Sequence, residues 1–262
     1  MNQKMNKAAQ IRAKMARGER VIGAHVFLTD PEISEALANH GFEFVWIDGE
    51  HSAFDKASIL GHIMACAAGG AASIVRVAWN DPVLVKPVLE MGPDGIILPM
   101  VSTAEQARAA VAACSYPPLG IRGFGPRRAI QYGALETGEY LEGVNDSFLR
   151  IVQIEHKEAV DNLEEILQVP GIDLVMVGPN DLSASIGHLG DLRHPQVMAL
   201  CDRIADTCKA MGKPFGASLG PGDEATIRDW IERGVNMLGC GDDISYISMG
   251  CRRTFQLIQS LG

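Results

Sequence analysis

The chain has 262 residues, of which 47% are hydrophobic, 21% charged and 6% aromatic, and its formal net charge is −9. This composition is close to that of ordinary globular proteins and excludes collagen-like, low-complexity and disordered chains. An acidic chain has no general electrostatic attraction to nucleic acid or to an anionic membrane, so we expect small-molecule partners and neither nucleic acid nor membrane.

Neither the first residues nor the most apolar stretch predicts a targeting or membrane segment. The first 19 residues are basic but contain no apolar core of a secretory signal, which favours an ordinary amphipathic helix. The most apolar stretch, residues 64–79, is interrupted by Gly69, Gly70 and Arg76 and is a poor transmembrane span. We therefore expect a cytoplasmic protein.

Short apolar runs alternate along the chain with segments of helical periodicity. The runs that predict strands are residues 23–28 (GAHVFL), 44–48 (FVWID), 73–77 (SIVRV), 95–100 (GIILPM), 151–155 (IVQIE), 173–177 (DLVMV), 215–218 (FGAS) and 236–240 (NMLGC). Continuous apolar runs are typical of parallel strands covered on both faces. The alternation predicts an α/β fold, a single (β/α)8 TIM barrel domain over residues 1–262. A doubly wound sheet is the alternative, but no G-x-G-x-x-G follows the first strand.

The connection between the fourth and fifth strands, residues 101–150, is longer than one helix requires. Ser102 and Thr103 precede a helix that ends near Ala113, and residues 116–128 (YPPLGIRGFGPRR) are rich in Pro, Gly and Arg. Long ordered loops are usually functional, and this one follows the C-terminal end of a strand, where barrel active sites are built. We therefore expect the long connection at the active-site face.

Polar residues follow several strands at that same end. They are Asp48, Glu50 and His51 after the second strand, Arg76 in the third, Gln153 and Glu155 in the fifth, and Gly178, Pro179, Asn180 and Asp181 after the sixth. Each has an ordinary structural explanation, such as a helix N-cap for Asp181 or a buried ion pair for Arg76. Their occurrence together at one end of a barrel predicts an active site.

The residue types favour chemistry with a hard metal ion. Glu155 and Asp181 offer carboxylate oxygens, which suit Mg²⁺ or Mn²⁺. Arg76 can stabilise an oxygen that gains negative charge. Histidine is the side chain suited to general-base catalysis at physiological pH, so His51 is the natural general base. Backbone N–H groups near Asn180 can hold a carboxylate.

Five segments resemble one family in order and spacing over about residues 21–250. They are residues 44–55 (FVWIDGEHSAFD), 95–107 (GIILPMVSTAEQA), 116–125 (YPPLGIRGFG), 153–166 (QIEHKEAVDNLEEI) and 171–187 (GIDLVMVGPNDLSASIG). They are similar to those of the HpcH/HpaI class II pyruvate aldolases. The resemblance implies a barrel of the phosphoenolpyruvate/pyruvate type and a divalent metal such as Mg²⁺, Mn²⁺ or Co²⁺.

The resemblance also implies a role for each site residue. Glu155 and Asp181 would be metal ligands, and Asp48 and Glu50 would reach metal-bound water. Arg76 would contact the pyruvate carbonyl oxygen, and His51 would transfer a proton through water. Gln153 would border the pyruvate, whose carboxylate would bind to the backbone of Gly178, Pro179, Asn180 and Asp181.

Two implications concern residues outside this cluster. In the family, the equivalent of His51 pairs with an aspartate, and Glu90 occupies that position here, in LEMG. The resemblance further implies a homohexamer, a trimer of dimers that exchange the C-terminal helix, here about residues 244–261.

The predicted reaction is the reversible, metal-dependent cleavage of a 4-hydroxy-2-oxo acid to pyruvate and an aldehyde, through a pyruvate enolate stabilised by the metal and Arg76. The substrate would be of dicarboxylic or sugar-acid type. Its distal half would contact residues 122–132, Ser218, Leu219 and Asp242. Arg127 and Arg128 either read a distal carboxylate or serve structure and subunit contacts.

Three alternatives remain. A Schiff-base aldolase needs a lysine at the C-terminal end of a strand; Lys157 is possible, whereas Lys213 precedes its strand. The same enolate could serve oxaloacetate decarboxylation or acyl-CoA cleavage. A non-catalytic binding barrel would not need the whole set of Glu155, Asp181, Arg76 and His51.

Overall fold

The computed structural model describes residues 7–261; the other residues of the predicted N-terminal helix segment and of the predicted domain lie outside the described residues. Eight parallel strands close into a barrel in sequence order, with the first paired to the last. The strands are β1 (Val21–Val26), β2 (Phe44–Asp48), β3 (Ala72–Arg76), β4 (Gly95–Leu98), β5 (Leu149–Ile154), β6 (Leu174–Val177), β7 (Phe215–Leu219) and β8 (Met237–Asp242). The predicted (β/α)8 architecture is confirmed, and every predicted strand overlaps an observed one.

Helices surround the strands. They are α1 (Ala8–Ala16), α2 (Glu32–Asn39), α3 (Lys56–Gly69), α4 (Pro82–Glu90), α5 (Ala104–Cys114), α6 (Thr137–Gly143), α7 (Lys157–Asp161), α8 (Leu163–Leu167), α9 (Pro179–Ala184), α10 (Pro195–Ala210), α11 (Glu224–Glu232) and α12 (Asp243–Leu261). Among the described residues, no helix is long and apolar enough to cross a membrane.

Alternate strand residues fill the inside of the barrel, because successive side chains of a strand point to opposite faces. Phe44, Trp46, Ile74 and Ile151 belong to one buried cluster inside the barrel. The residues between them, such as Val45, pack outward against the helices in a second cluster. Helix α1 closes the N-terminal end of the barrel with its buried apolar residues Ala8, Ile11 and Met15.

The long connection lies at the N-terminal end of the barrel and not at the active-site face that the sequence predicts. Helix α5 first returns the chain to the N-terminal end of the barrel, and the extra residues 115–148 follow it there. Arg128 donates to the backbone oxygens of Met91 and Gly92, just after α4, at 2.9 and 3.0 Å. The expectation that this segment borders the active site of its own chain is therefore wrong, because α5 already provides the return that follows β4.

The first residues of helix α12 anchor it to the barrel, and the rest of the helix is exposed. Asp243 is fully buried and accepts hydrogen bonds from the backbone N–H groups of Phe27 and Leu28. Every described residue from Tyr246 to Leu261 is exposed, including Phe255 and Ile258. An amphipathic helix whose apolar face lies in solvent normally packs against another chain.

Candidate active site

A cavity of about 360 Å³ opens at the C-terminal ends of the strands. Its lining residues are His25, Phe27, Asp48, His51, Arg76, Gln153, Gly178, Pro179, Asn180, Asp181, Ser218, Gly220 and Asp242. The inward positions of β2 and β3 are apolar in the lower layers and polar at the last one, as in Phe44, Trp46 and Asp48 of β2. The fold therefore collects the predicted polar residues in one place, at the end where barrel active sites lie.

Arg76 is buried at the centre of this cavity wall. Its Nε donates to Oδ1 of Asp48 at 3.2 Å, and one terminal nitrogen donates to Oδ2 of the same carboxylate. The other, Nη1, lies 2.8 Å from Oε2 of Glu50 and 3.4 Å from Oε1 of Gln153. The guanidinium also packs over the ring of Trp46, with Cζ 5.2 Å from the centroid. These contacts fix the plane of the guanidinium before any substrate binds.

The two carboxylates beside Arg76 respond differently to it. Burial disfavours the charge on Asp48, but Arg76 and two backbone N–H groups outweigh it and hold the Asp48 pKa below its usual range. Burial raises the pKa of Glu50, and Arg76 only partly opposes that effect. Asp48 is therefore the permanent counter-charge of Arg76.

Glu155 follows β5 and is almost completely buried. Its Oε1 accepts a hydrogen bond of 2.7 Å from the backbone N–H of Met100, a residue with φ of +54°. A left-handed conformation costs a non-glycine residue about 1 kcal/mol or more, so the fold tolerates strain to orient this carboxylate. Oε2 is buried without a hydrogen-bond partner, and burial raises the pKa of Glu155 to about 7.

The surroundings of the Glu155 carboxylate suit a divalent cation. The free Oε2 of Glu155 faces Gly178, where a Cβ would lie 2.7 Å from it. The negative charge of Asp181 also raises the pKa of Glu155, so the two carboxylates share one region. No group of three or more His, Cys, Asp or Glu residues within residues 7–261 forms a complete metal cage. Mg²⁺ and Mn²⁺ accept one or two protein carboxylates with water and substrate as the other ligands, so the donor set suits them.

Helix α9 begins at the cavity with Gly178 as its N-cap residue and Pro179 in its first turn. The first N–H groups of a helix have no acceptor within it, so those of Asn180 and Asp181 are suited to a carboxylate. Both residues line the cavity, as the sequence predicts.

His51 lies at the mouth of the cavity. Its backbone N–H donates to Oδ1 of Asp48 at 3.0 Å, whereas its side chain is largely exposed. Nε2 lies 3.9 Å from Oε2 of Glu50. The imidazole is thus open to both solvent and the cavity.

Glu90 does not join this group within one chain. It ends α4, which carries the chain back to the N-terminal end of the barrel, opposite His51. There its Oε1 lies 3.5 Å from an Arg122 nitrogen, and its Oε2 is buried without a hydrogen-bond partner. The segment 122–132, with Arg127 and Arg128, lies at that end as well. Leu219 is buried in the outer core, whereas Ser218 and Asp242 line the cavity as predicted.

His25 and Phe27 also line the cavity, although they are not among the site residues predicted from the sequence. His25 could have been found by the same sequence signal as Arg76, because each is a single polar residue in an otherwise apolar strand. For His25 this strand is the run GAHVFL. The hydrogen-bond partners of His25, Ser218 and Gly241, come from the other end of the chain.

Comparison with known proteins gives the family. Residues 22–243 match the sequence profile of the HpcH/HpaI aldolase/citrate lyase family. The chain belongs to this family. It is 38% identical over 233 residues to the 4-hydroxy-2-oxo-heptane-1,7-dioate aldolase of Salmonella typhimurium strain LT2, a match that spans 89% of this chain and 88% of the relative.

Solved structures of two similar proteins have the same fold. The HpcH/HpaI aldolase from Desulfitobacterium hafniense DCB-2 is 29% identical, with a TM-score of 0.88 over 96% of this chain and 97% of that one. The citrate synthase SbnG is 30% identical, with a TM-score of 0.83 over 96% of this chain and 98% of that one. The prediction of a carbon–carbon lyase of the HpcH/HpaI aldolase family is confirmed.

The geometry bears on the Schiff-base alternative for this HpcH/HpaI chain. The residues that line the cavity in the described part of the chain include no lysine. Nζ of Lys157 lies on the surface, 2.6 Å from a carboxylate oxygen of Asp161, and Lys213 precedes β7 at the opposite end of the barrel.

Proposed function

We propose that this protein catalyses the reversible cleavage of a 4-hydroxy-2-oxo acid to pyruvate and an aldehyde. The observation that carries the proposal is the buried Arg76, fixed by Asp48, Glu50 and Gln153 on the cavity wall with the unpartnered oxygen of Glu155 in the same cavity region. A fixed cation beside a region suited to a metal matches a reaction in which one oxygen gains negative charge.

The substrate is bound through its carboxylate and its 2-oxo group. The N–H groups of Asn180 and Asp181 receive the carboxylate, and Gly178 leaves the space for it because a Cβ there would meet Gln153 and Glu155. Glu155 and Asp181 would hold Mg²⁺, Mn²⁺ or Co²⁺, which when bound supplies a Lewis acid at this end of the substrate.

Cleavage moves one proton and one electron pair. His51, acting through water, removes the proton of the 4-hydroxyl group, C4 becomes the aldehyde carbonyl, and the C3–C4 bond breaks. The electron pair of the C3–C4 bond passes into the pyruvate enolate. Arg76 stabilises the enolate oxygen through N–H donors that are already in place. Protonation of C3 then gives pyruvate.

Glu90 would act in a second copy of the chain. The resemblance pairs it with His51, but the two lie at opposite ends of one barrel, so the pair requires an interface between the end of α4 and a neighbour's cavity mouth. The free Oε2 of Glu90 and the exposed apolar side chains of Ile121, Phe124 and Tyr132 in the nearby segment support such an interface. We propose a homo-oligomer, a hexamer built from dimers that exchange α12.

The proposal is tested by incubating the purified protein with pyruvate, Mg²⁺ and a set of aldehydes, followed by product analysis by mass spectrometry. We expect 4-hydroxy-2-oxo acids, loss of product with EDTA, and recovery with added Mg²⁺ or Mn²⁺. Covalent trapping of pyruvate on a lysine by borohydride would support the Schiff-base alternative instead. Turnover of oxaloacetate or an acyl-CoA without any aldol product would support the alternative use of the enolate.

A further inference from the structure

His25 and Ser218 form a hydrogen-bonded pair in the wall of the cavity. Nε2 of His25 lies 2.9 Å from Oγ of Ser218, and Nδ1 lies 2.9 Å from the backbone oxygen of Gly241. His25 is 4% exposed, whereas Ser218 is only partly buried and faces the cavity. A Cβ on Gly239 would lie 3.1 Å from the imidazole, so β8 leaves space for this ring.

The partners of His25 fix the direction of both hydrogen bonds. The oxygen of Gly241 can only accept, so Nδ1 carries the hydrogen and Nε2 of the neutral ring is an acceptor. Burial lowers the pKa of His25, which keeps the ring neutral. The hydroxyl group of Ser218 therefore donates its hydrogen to Nε2 and presents only oxygen lone pairs to the cavity.

The rest of this wall has the same character. Asp242, the last residue of β8, also lines the cavity, and its carboxylate is a second group of acceptors. The backbone N–H and the hydroxyl of Ser245 already donate to its two oxygens. Arg76 is the single Arg or Lys among the lining residues of the described chain, and Asp48 and Glu50 already contact it. A second carboxylate of a substrate would therefore meet acceptors and negative charge on this wall.

We infer that His25 and Ser218 determine the acceptor specificity of the enzyme, and that this wall selects an aldehyde bearing hydroxyl groups over one bearing a second carboxylate. A substrate hydroxyl donates to Oγ of Ser218, whereas a carboxylate cannot. The inference rests on the proposed aldolase function and names its substrate class, a hydroxylated sugar-acid type. His25 is a positioning residue, because it acts through the hydroxyl of Ser218.

The experiment first measures enolate formation alone, as the exchange of the methyl hydrogens of pyruvate in D₂O with Mg²⁺, followed by NMR. Absence of this exchange would overturn the proposed function. With exchange present, kcat/KM is measured for three aldehydes with pyruvate: glyceraldehyde, butanal and succinic semialdehyde. We expect glyceraldehyde to be preferred; a preference for succinic semialdehyde would overturn the specificity inference and leave the aldolase function intact.

Two variants assign the preference to the pair. In Ser218→Ala we expect the ratio of kcat/KM for glyceraldehyde to kcat/KM for butanal to fall about fivefold to tenfold, as for loss of one neutral hydrogen bond. In His25→Phe the Ser218 hydroxyl is free to donate, so the ratio of succinic semialdehyde to glyceraldehyde turnover should rise. An equal effect of either variant on all three aldehydes would indicate a merely structural role and overturn the inference.

Discussion

The guanidinium of Arg76 and the carboxylate of Asp48 occupy paired positions on β3 and β2, and Nε of Arg76 lies 3.2 Å from Oδ1 of Asp48. Both side chains are buried, so this pair stays ordered without substrate. Buried ion pairs contribute little net stability compared with apolar residues, because desolvation offsets their attraction. The pair is therefore better explained by the chemistry at the cavity than by folding.

The first prediction concerns the geometry of that pair. Arg76→Lys keeps the positive charge but loses the planar set of donors, so we expect kcat/KM for aldol cleavage to fall by about 10²–10³. Steady-state kinetics with the purified variant provide the measurement. Arg150→Lys is the control, since Arg150 is equally buried but donates to Asn145 at the N-terminal end of the barrel. Wild-type turnover in Arg76→Lys would refute the assigned role.

The second prediction follows from the pKa of Glu155, which burial raises to about 7. The ordinary pKa of this group, which applies to the unfolded chain, is 4.5. Between pH 4.5 and pH 7 the folded chain therefore binds more protons at Glu155 than the unfolded chain does. The unfolding free energy of the metal-free protein thus falls as pH rises. Glu155→Gln cannot ionise. From pH 5 to pH 8 we expect the variant to gain up to about 3 kcal/mol relative to wild type.

Urea unfolding of both proteins in EDTA at several pH values provides this measurement. A difference between them that stays constant with pH would show that Glu155 does not titrate in this range. In the wild type we also expect the affinity for Mn²⁺ to fall as pH drops below 7, because the ligand must lose its proton to bind the metal.

How far the sequence predicts this protein can be judged from particular residues. Arg76 and Asp48 are each a polar residue at the end of an apolar strand, and a parallel barrel necessarily brings such ends together. His25 carries the same signal, but its role depends on Gly241, which is 216 positions away, and no local pattern shows that contact. The long connection follows α5, which has already reversed the chain, so a rule based on strand ends alone puts the connection at the wrong end of the barrel.

The third prediction concerns acid stability. His62 on α3 is fully buried against α2, where its Nδ1 lies 2.7 Å from Oγ of Ser34, and burial lowers the pKa of His62. Below about pH 6.5 the unfolded chain binds a proton at this position before the folded chain does, so the unfolding free energy falls as pH decreases. The double variant Ser34→Ala/His62→Phe should lose less stability than wild type between pH 7 and pH 5.

Thermal or urea unfolding across this range provides the measurement. Ser34→Ala alone keeps the imidazole and serves as the control, because it should retain the acid sensitivity of the wild type. The prediction fails when the double variant is as acid-sensitive as that control.

The fourth prediction concerns the exposed apolar face of α12. Phe255 and Ile258 are 62% and 65% exposed and lie on one side of the helix. If another chain covers this side, Phe255→Asp and Ile258→Asp place charge in an apolar interface, and we expect assembly to require at least about tenfold higher protein concentration. Light scattering after size-exclusion chromatography measures the mass. Gln256→Asp, on the other side, should leave the mass unchanged; an unchanged mass in all three variants would refute the exchange.

The last prediction tests whether Glu90 acts on His51 of another copy. His51→Ala and Glu90→Ala should each have little aldolase activity. When the two variants are co-expressed with different tags and the mixed assemblies are purified, some sites combine an intact His51 with an intact Glu90 from the neighbour, and activity should return to as much as about a quarter of wild type. Co-expression of His51→Ala with Arg76→Ala is the control and should restore no activity. Both residues line the cavity of one chain, so no site in that mixture has both of them intact. Mixed assemblies no more active than their parents would place Glu90 outside the catalytic machinery, and its ion pair with Arg122 would then be its whole role.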